Sequence, residues 1–275
     1  MAEWTQAQSG RRLREQALPL GVVLIAAAVG ISWALATPPG VLAKADAIGY
    51  AICHRIASHS LIIGGRQLPL CARCSGIYLS ALLGLITLAA AGRSRASRLP
   101  PLPVLLILIG GSILMGIDGV NSYLTLFPGL PHLYEPQNGL RLATGALHGL
   151  TLATVLLPLF NSIAWQRPAD APSLRNVREL LALILLAGLV VALALTEAPA
   201  LLYPLAILSA LGVVVMLSLV NALITLTLSQ RANTATSWRQ VWPFVLAGGA
   251  LTFVEIGLID VARFTLTGSW EGFAR

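Results

Sequence analysis

Charge is what this chain has least of. Only 11% of its 275 residues are Asp, Glu, Lys or Arg, against about 25% in a soluble domain. That shortage excludes an ordinary water-facing surface and puts the chain in the membrane class. Three cysteines are too few for the disulfide framework of a small secreted domain. Also missing are H-E-x-x-H, G-x-S-x-G, a phosphate-binding P-loop and the C-x-x-C-H haem attachment, so none of those chemistries has support. The net charge is +7. Its arginines are spread between apolar runs, without a basic stripe or interleaved aromatics, which argues against nucleic acid as a partner.

What the chain has is hydrophobic length, with 56% apolar residues. Residues 1–16 form a polar, arginine-bearing N-terminal segment before the first apolar run, about 18–36. That run is long enough to cross a bilayer, which takes roughly 20 residues. Ala34-Leu35-Ala36 also resembles a signal-peptidase site, but the run is long for a signal peptide and an uncleaved anchor is expected. Thr37-Pro38-Pro39-Gly40 ends it. Residues 41–58 are too short and interrupted to span, and predict a surface or re-entrant helix. Further spans are expected at about 71–91, 102–119, 139–162, 178–196, 201–229 and 241–264. The fold class is therefore an all-α polytopic bundle, most simply of seven spans. It divides into a core membrane domain, 17–162, and a C-terminal three-span module, 177–265.

The loops give the orientation. The N-terminus and the loops 92–101, 163–177 and 230–240 carry arginine, whereas 120–138 and 197–200 carry neither lysine nor arginine. The positive-inside rule makes the basic side cytoplasmic, with the N-terminus in and the C-terminus out. A multi-pass protein of the cell membrane is expected, with the lipid bilayer as its first partner.

One stretch breaks the apolar monotony. Residues 53–78 hold all three cysteines and two of the four histidines, and the topology places them at the outer face. Cys71 and Cys74 are three apart at a helix start, so they share a face. Exposed N–H groups and the helix dipole favour thiolate there. Cys53 and His54 complete a soft-donor set of the Cys3His type, which suits zinc. The same Cys71–Cys74 pair also fits a thiol–disulfide or quinone-linked redox protein. A third reading makes the chain a structural or assembly subunit alongside another membrane subunit, its cysteines fixing a loop.

Polar residues within the spans collect at the same depth. Asp118, Glu135 and Arg141 are the candidates for catalysis, and Asn121 and Asn138 for further polar contacts, because ionisable groups inside a membrane suggest function. Arg55, Arg66 and Arg73 surround the cysteines and suit an anionic headgroup, a carboxylate or another partner. Pairing with Asp118 and Glu135 would explain them equally well. A structural Asp118–Arg141 ion pair is also expected. His59, His132 and His148 read as structural or surface histidines. Glu255 and Asp260, five apart, do not form an acid/base pair on one helix stripe. A lipid or quinone-like substrate would suit a site at this depth.

At these residues the chain resembles the membrane family catalogued as domain of unknown function 2085. The resemblance rests on Cys53-His54, Ser60, Gly65, Pro69, the run Cys71-x-Arg73-Cys74-x-Gly76-Ile77-Tyr78, then Asp118-Gly119, and Asn138-x-Leu140-Arg141-x-x-Thr144-Gly145. It covers about residues 47–150. Arg55 stands where that family usually has Gln, and His59 where it usually has Arg. The resemblance implies a membrane location and a set of positions, His54 among them, and no activity.

Overall fold

The computed structural model describes residues 20–125, 127 and 129–271, so the polar segment 1–16 lies outside the described residues. Among the described residues there are eight helices: α1 (Leu20–Ala36), α2 (Val41–Ile52), α3 (Ala72–Ala90), α4 (Leu102–Leu124), α5 (Asn138–Ala164), α6 (Val177–Leu195), α7 (Leu202–Leu228) and α8 (Trp238–Thr267). The last six are each long and apolar enough to cross a membrane, and α1 with α2 makes a bent seventh candidate. The chain is an all-α bundle of the membrane type.

The bend between α1 and α2 is 101°. Gly40, at φ 100°, takes a backbone conformation that L side chains avoid. Helix ends leave carbonyls without partners, and Lys44 folds back to supply them. Its Nζ donates to the Thr37 carbonyl at 2.9 Å and to the carbonyl of Ala34. The short helix expected after the prolines is α2.

Small residues fix the centre of the bundle. In lipid, helices associate by close packing rather than by the hydrophobic effect. A Cβ built at Gly145 of α5 would lie 2.3 Å from the Arg73 carbonyl oxygen, and one at Gly149 2.1 Å from that of Ile77. Gly76 of α3 meets Leu142 of α5 in the same way, at 2.2 Å. Gly145-x-x-x-Gly149 thus lays α5 directly on the backbone of α3. Gly212 of α7 approaches the Tyr78 carbonyl of α3 similarly, and Gly248 of α8 that of Ser218 on α7.

The two ends of the bundle differ. At one end the arginine-bearing loops touch each other. After two short strands at the other end, β1 (Ile62–Ile63) and β2 (Arg66–Gln67), strand β3 (Ala96–Arg98) pairs in parallel with β4 (Ala169–Pro172), and Asn161 donates to the carbonyls of Ser94 and Ala96. Arg93 forms a two-pronged ion pair with Glu179, at 2.5 and 2.6 Å. Trp165 bridges to Ala235, and Arg95 stacks on its ring, 3.7 Å from the centroid. The other end carries the cysteines. There α4 runs to Leu124, five residues beyond the expected 119, because Asp118, Asn121 and Ser122 find partners inside the bundle and need not leave the helix.

Candidate thiolate site

Three local structures bring the cysteines together. Cys53 closes the C-terminus of α2, its N–H bonded to the Gly49 carbonyl at 2.8 Å. A two-stranded hairpin follows, Ile62–Ile63 against Arg66–Gln67. Gly64 and Gly65 turn it, at φ 57° and 77°, the pair of positive angles that a tight two-residue hairpin requires. The return strand leads through Pro69 to Cys71, the residue capping α3, and Cys74 lies in the first turn of that helix. Gly49 admits the return, since its missing Cβ would sit 2.0 Å from the Pro69 carbonyl oxygen.

The sulfurs of Cys53, Cys71 and Cys74 lie within 4.8 Å of one another. Cys53 and Cys71 are buried and Cys74 half-buried. All three are free thiols. The Cys53 sulfur accepts two backbone N–H bonds, from Cys71 at 3.3 Å and from Arg55 at 3.5 Å. Arg55 holds the second of these at φ 53°, an uncommon conformation for a side-chain-bearing residue. Hydrogen bonds from the Cys71 and Cys74 thiols, helped by these N–H groups, lower the Cys53 pKa well below a thiol's usual range. Giving its proton to Cys53 pushes the Cys71 thiol up. Crowding thus favours thiolate at Cys53 and disfavours it at Cys71, and a bound cation would favour thiolate at every sulfur it touches.

His54, expected as the fourth ligand, stands outside the group of three. Its Nδ1 accepts the Ile56 N–H at 3.0 Å. That bond leaves the ring proton on Nε2, the tautomer that cannot coordinate through Nε2. Burial lowers its pKa and keeps the ring neutral. The ring packs edge-on against His59, with centroids 5.4 Å apart.

Around the thiols runs a continuous polar network. Arg73, between the two helical cysteines, pairs with Asp118 through Nε at 3.2 Å and through Nη2. The same Nη2 donates to the Asp118 carbonyl and to Ser122 Oγ, each at 3.0 Å. Tyr134 donates to the other Asp118 oxygen at 2.8 Å, and burial with that carboxylate raises its pKa. Arg141 is buried and reaches Ser122 Oγ at 3.4 Å and Asn138 Oδ1 at 2.8 Å. Asn138 donates to the Ser60 carbonyl. Gln67 then ties Ser60 Oγ to the Arg55 carbonyl. Asn121 pins the following loop, accepting from Leu133 and donating to the Tyr134 carbonyl.

Several expectations need correcting. The expected Asp118–Arg141 ion pair does not form: Asp118 takes Arg73, the pairing weighed as the alternative, and Arg141 joins it only through Ser122. Glu135 is exposed and bonded to His132 at 2.9 Å, not to an arginine beside the thiols. Arg55 and Arg66 share Asp46, at 3.0 and 2.6 Å, a carboxylate that sequence reasoning passed over. Arg263 was also missed as a site residue. From α8 it donates to the carbonyls of Tyr50, Cys53 and His54, at 2.5, 2.6 and 3.3 Å.

A bundle of membrane helices with a three-thiol cluster at one end and a buried Arg–Asp network beside it defines the class. Residues 53–155 match the family described as predicted membrane protein, domain of unknown function 2085. An uncharacterised protein of Methanocaldococcus jannaschii is 31% identical over 116 residues, which is 42% of this chain and 68% of that protein. This chain belongs to that family. No solved structure matches it.

Proposed function

We propose that the protein is a multi-pass protein of the cell membrane that holds a zinc-type metal ion on Cys53, Cys71 and Cys74, at the face away from the cytoplasm. The observation that carries this reading is the convergence of all three sulfurs. A redox pair needs only Cys71 and Cys74, and would not require a third sulfur held by two N–H donors. Zinc–sulfur bonds of about 2.3 Å put ligand sulfurs roughly 3.5–4 Å apart, a small contraction from the spacing found. The fourth position falls to water, to a substrate, or to His54 after it exchanges its Ile56 bond. With three protein donors and an exchangeable fourth, the arrangement suits a catalytic centre better than a closed structural one. Arg73 lies beside it to bind an anionic group. Asp118 and Arg141 act as positioning residues, holding Arg73 and the hairpin in place. The four basic segments support the outward orientation.

The test is metal analysis with thiol counting on the purified protein, beside Cys53→Ser. Stoichiometric zinc that is lost in Cys53→Ser supports the metal centre. Metal-free protein whose Cys71 and Cys74 cycle between dithiol and disulfide, unchanged by Cys53→Ser, replaces it with the redox reading. Metal-free protein with three reactive thiols defeats both and leaves an assembly subunit.

A further inference from the structure

A second site lies between α1 and α8, and none of the three cysteines lines it. It is a chamber of about 700 Å³, within the size range of small-molecule pockets, about 300–1,000 Å³. Its walls are apolar and aromatic, with Trp33 from α1 and Phe253, Gly257 and Phe264 from α8. Exposed Leu258 and Val261 border it on the lipid-facing side of α8. Asp260 lines it too, and is only 2% exposed.

Asp260 is the unexplained group. Among the described residues neither of its carboxylate oxygens accepts a hydrogen bond. The Trp33 indole Nε1–H interacts with this carboxylate only from outside ordinary hydrogen-bond geometry, so neither group has a full partner. A buried polar group without a full partner is destabilising, and a buried acceptor and a buried donor line one chamber here. Their chemistry selects the ligand. A hydroxyl donates once and accepts as well, so one hydroxyl answers both groups. An ammonium only donates and leaves the indole unanswered, and Arg263 one turn further along α8 disfavours a second cation. A carboxylate or phosphate head only accepts, and brings no donor for the Asp260 oxygens.

We propose that this chamber binds an uncharged lipid alcohol, with its hydroxyl between Asp260 and Trp33 and its chain along the apolar walls. The chain enters from the bilayer past Leu258 and Val261.

Photolabelling of the full-length protein in nanodiscs tests this. The probe is hexadecanol carrying a chain-terminal diazirine, compared with the headless alkane and with hexadecanoate bearing the same diazirine. Cross-links are mapped by mass spectrometry. The alcohol should label residues 28–37 and 253–265 several-fold more than either comparison probe. Asp260→Leu should abolish that excess, and Trp33→Phe, which keeps the ring, should reduce it. The wholly apolar groove between α4 and α5, about 480 Å³ and lined by Leu108, Gly111 and Leu147, is the internal control. It should take the alcohol and the alkane alike and ignore both substitutions. Equal labelling of the α1–α8 chamber by alcohol and alkane, or by hexadecanoate, overturns the proposal. So does an alcohol excess that survives both substitutions in folded protein.

Discussion

Asp118 is a carboxylate that the bundle has closed over, at 1% exposure, and it survives there because Arg73 and Tyr134 use both of its oxygens. Removing one partner of a buried ion pair strands the other, at about 3–5 kcal/mol, whereas replacing both with apolar residues often costs little. Asp118→Asn should therefore lower the thermal midpoint clearly. Arg73→Met combined with Asp118→Leu should be more stable than either single change, and losses that simply add would show that the two do not act as a pair. At this scale the sequence was legible where spacing carries the chemistry, as in Cys71-x-x-Cys74. It was illegible where the partner is remote. Asp46 sits in a mildly apolar helix with no local sign that Arg55 and Arg66, on the far side of Cys53, converge on it. Arg263 was missed for the same reason, since its carbonyl partners lie more than half the chain away.

Among the elements, α3 and α5 meet backbone to backbone. Gly145→Ala must displace the Arg73 carbonyl or separate the helices, since the new Cβ would fall 2.3 Å from that oxygen. Overpacking of this kind costs about 1–3 kcal/mol. Gly110→Ala on α4 meets nothing within 4 Å and should be neutral or slightly stabilising through helix propensity, by up to about 1 kcal/mol. Unfolding of the two variants in mild detergent separates them, and equal stabilities would deny the close contact. Helix positions were readable from apolar length and from Pro and Gly stops, whereas the hairpin at Gly64-Gly65 was not foreseen, its strands being only two residues each. The β3–β4 pairing was not readable, because its strands are short, polar and joined only through two intervening helices. The length of α4 was misjudged because Asp118, Asn121 and Ser122 read as a span ending, when each is satisfied within the bundle.

For the whole molecule, membrane orientation decides which compartment the thiol cluster faces. Cysteines introduced at Pro131 and at Ser94 report it, since these exposed residues lie at opposite ends of the bundle. With the three native thiols replaced by serine, an impermeant thiol reagent on intact cells should label the Pro131→Cys protein and spare Ser94→Cys. The reverse pattern would put the thiol site in the cytoplasm. The contacts of Arg263 bear on something else, the order of synthesis. All three cysteines belong to the first third of the chain, while the side chain that grips the carbonyls of Tyr50, Cys53 and His54 belongs to the last helix. At ribosomal speeds of about 5–20 residues per second, the nascent thiols wait roughly 10–40 s before that clasp exists. A newborn chain must therefore pass through an interval in which its three cysteines are made and the Arg263 clasp on the Cys53 carbonyl is not. A ribosome stalled before α8 would leave a chain with all three cysteines and no Arg263 to fasten the backbone that carries the first of them.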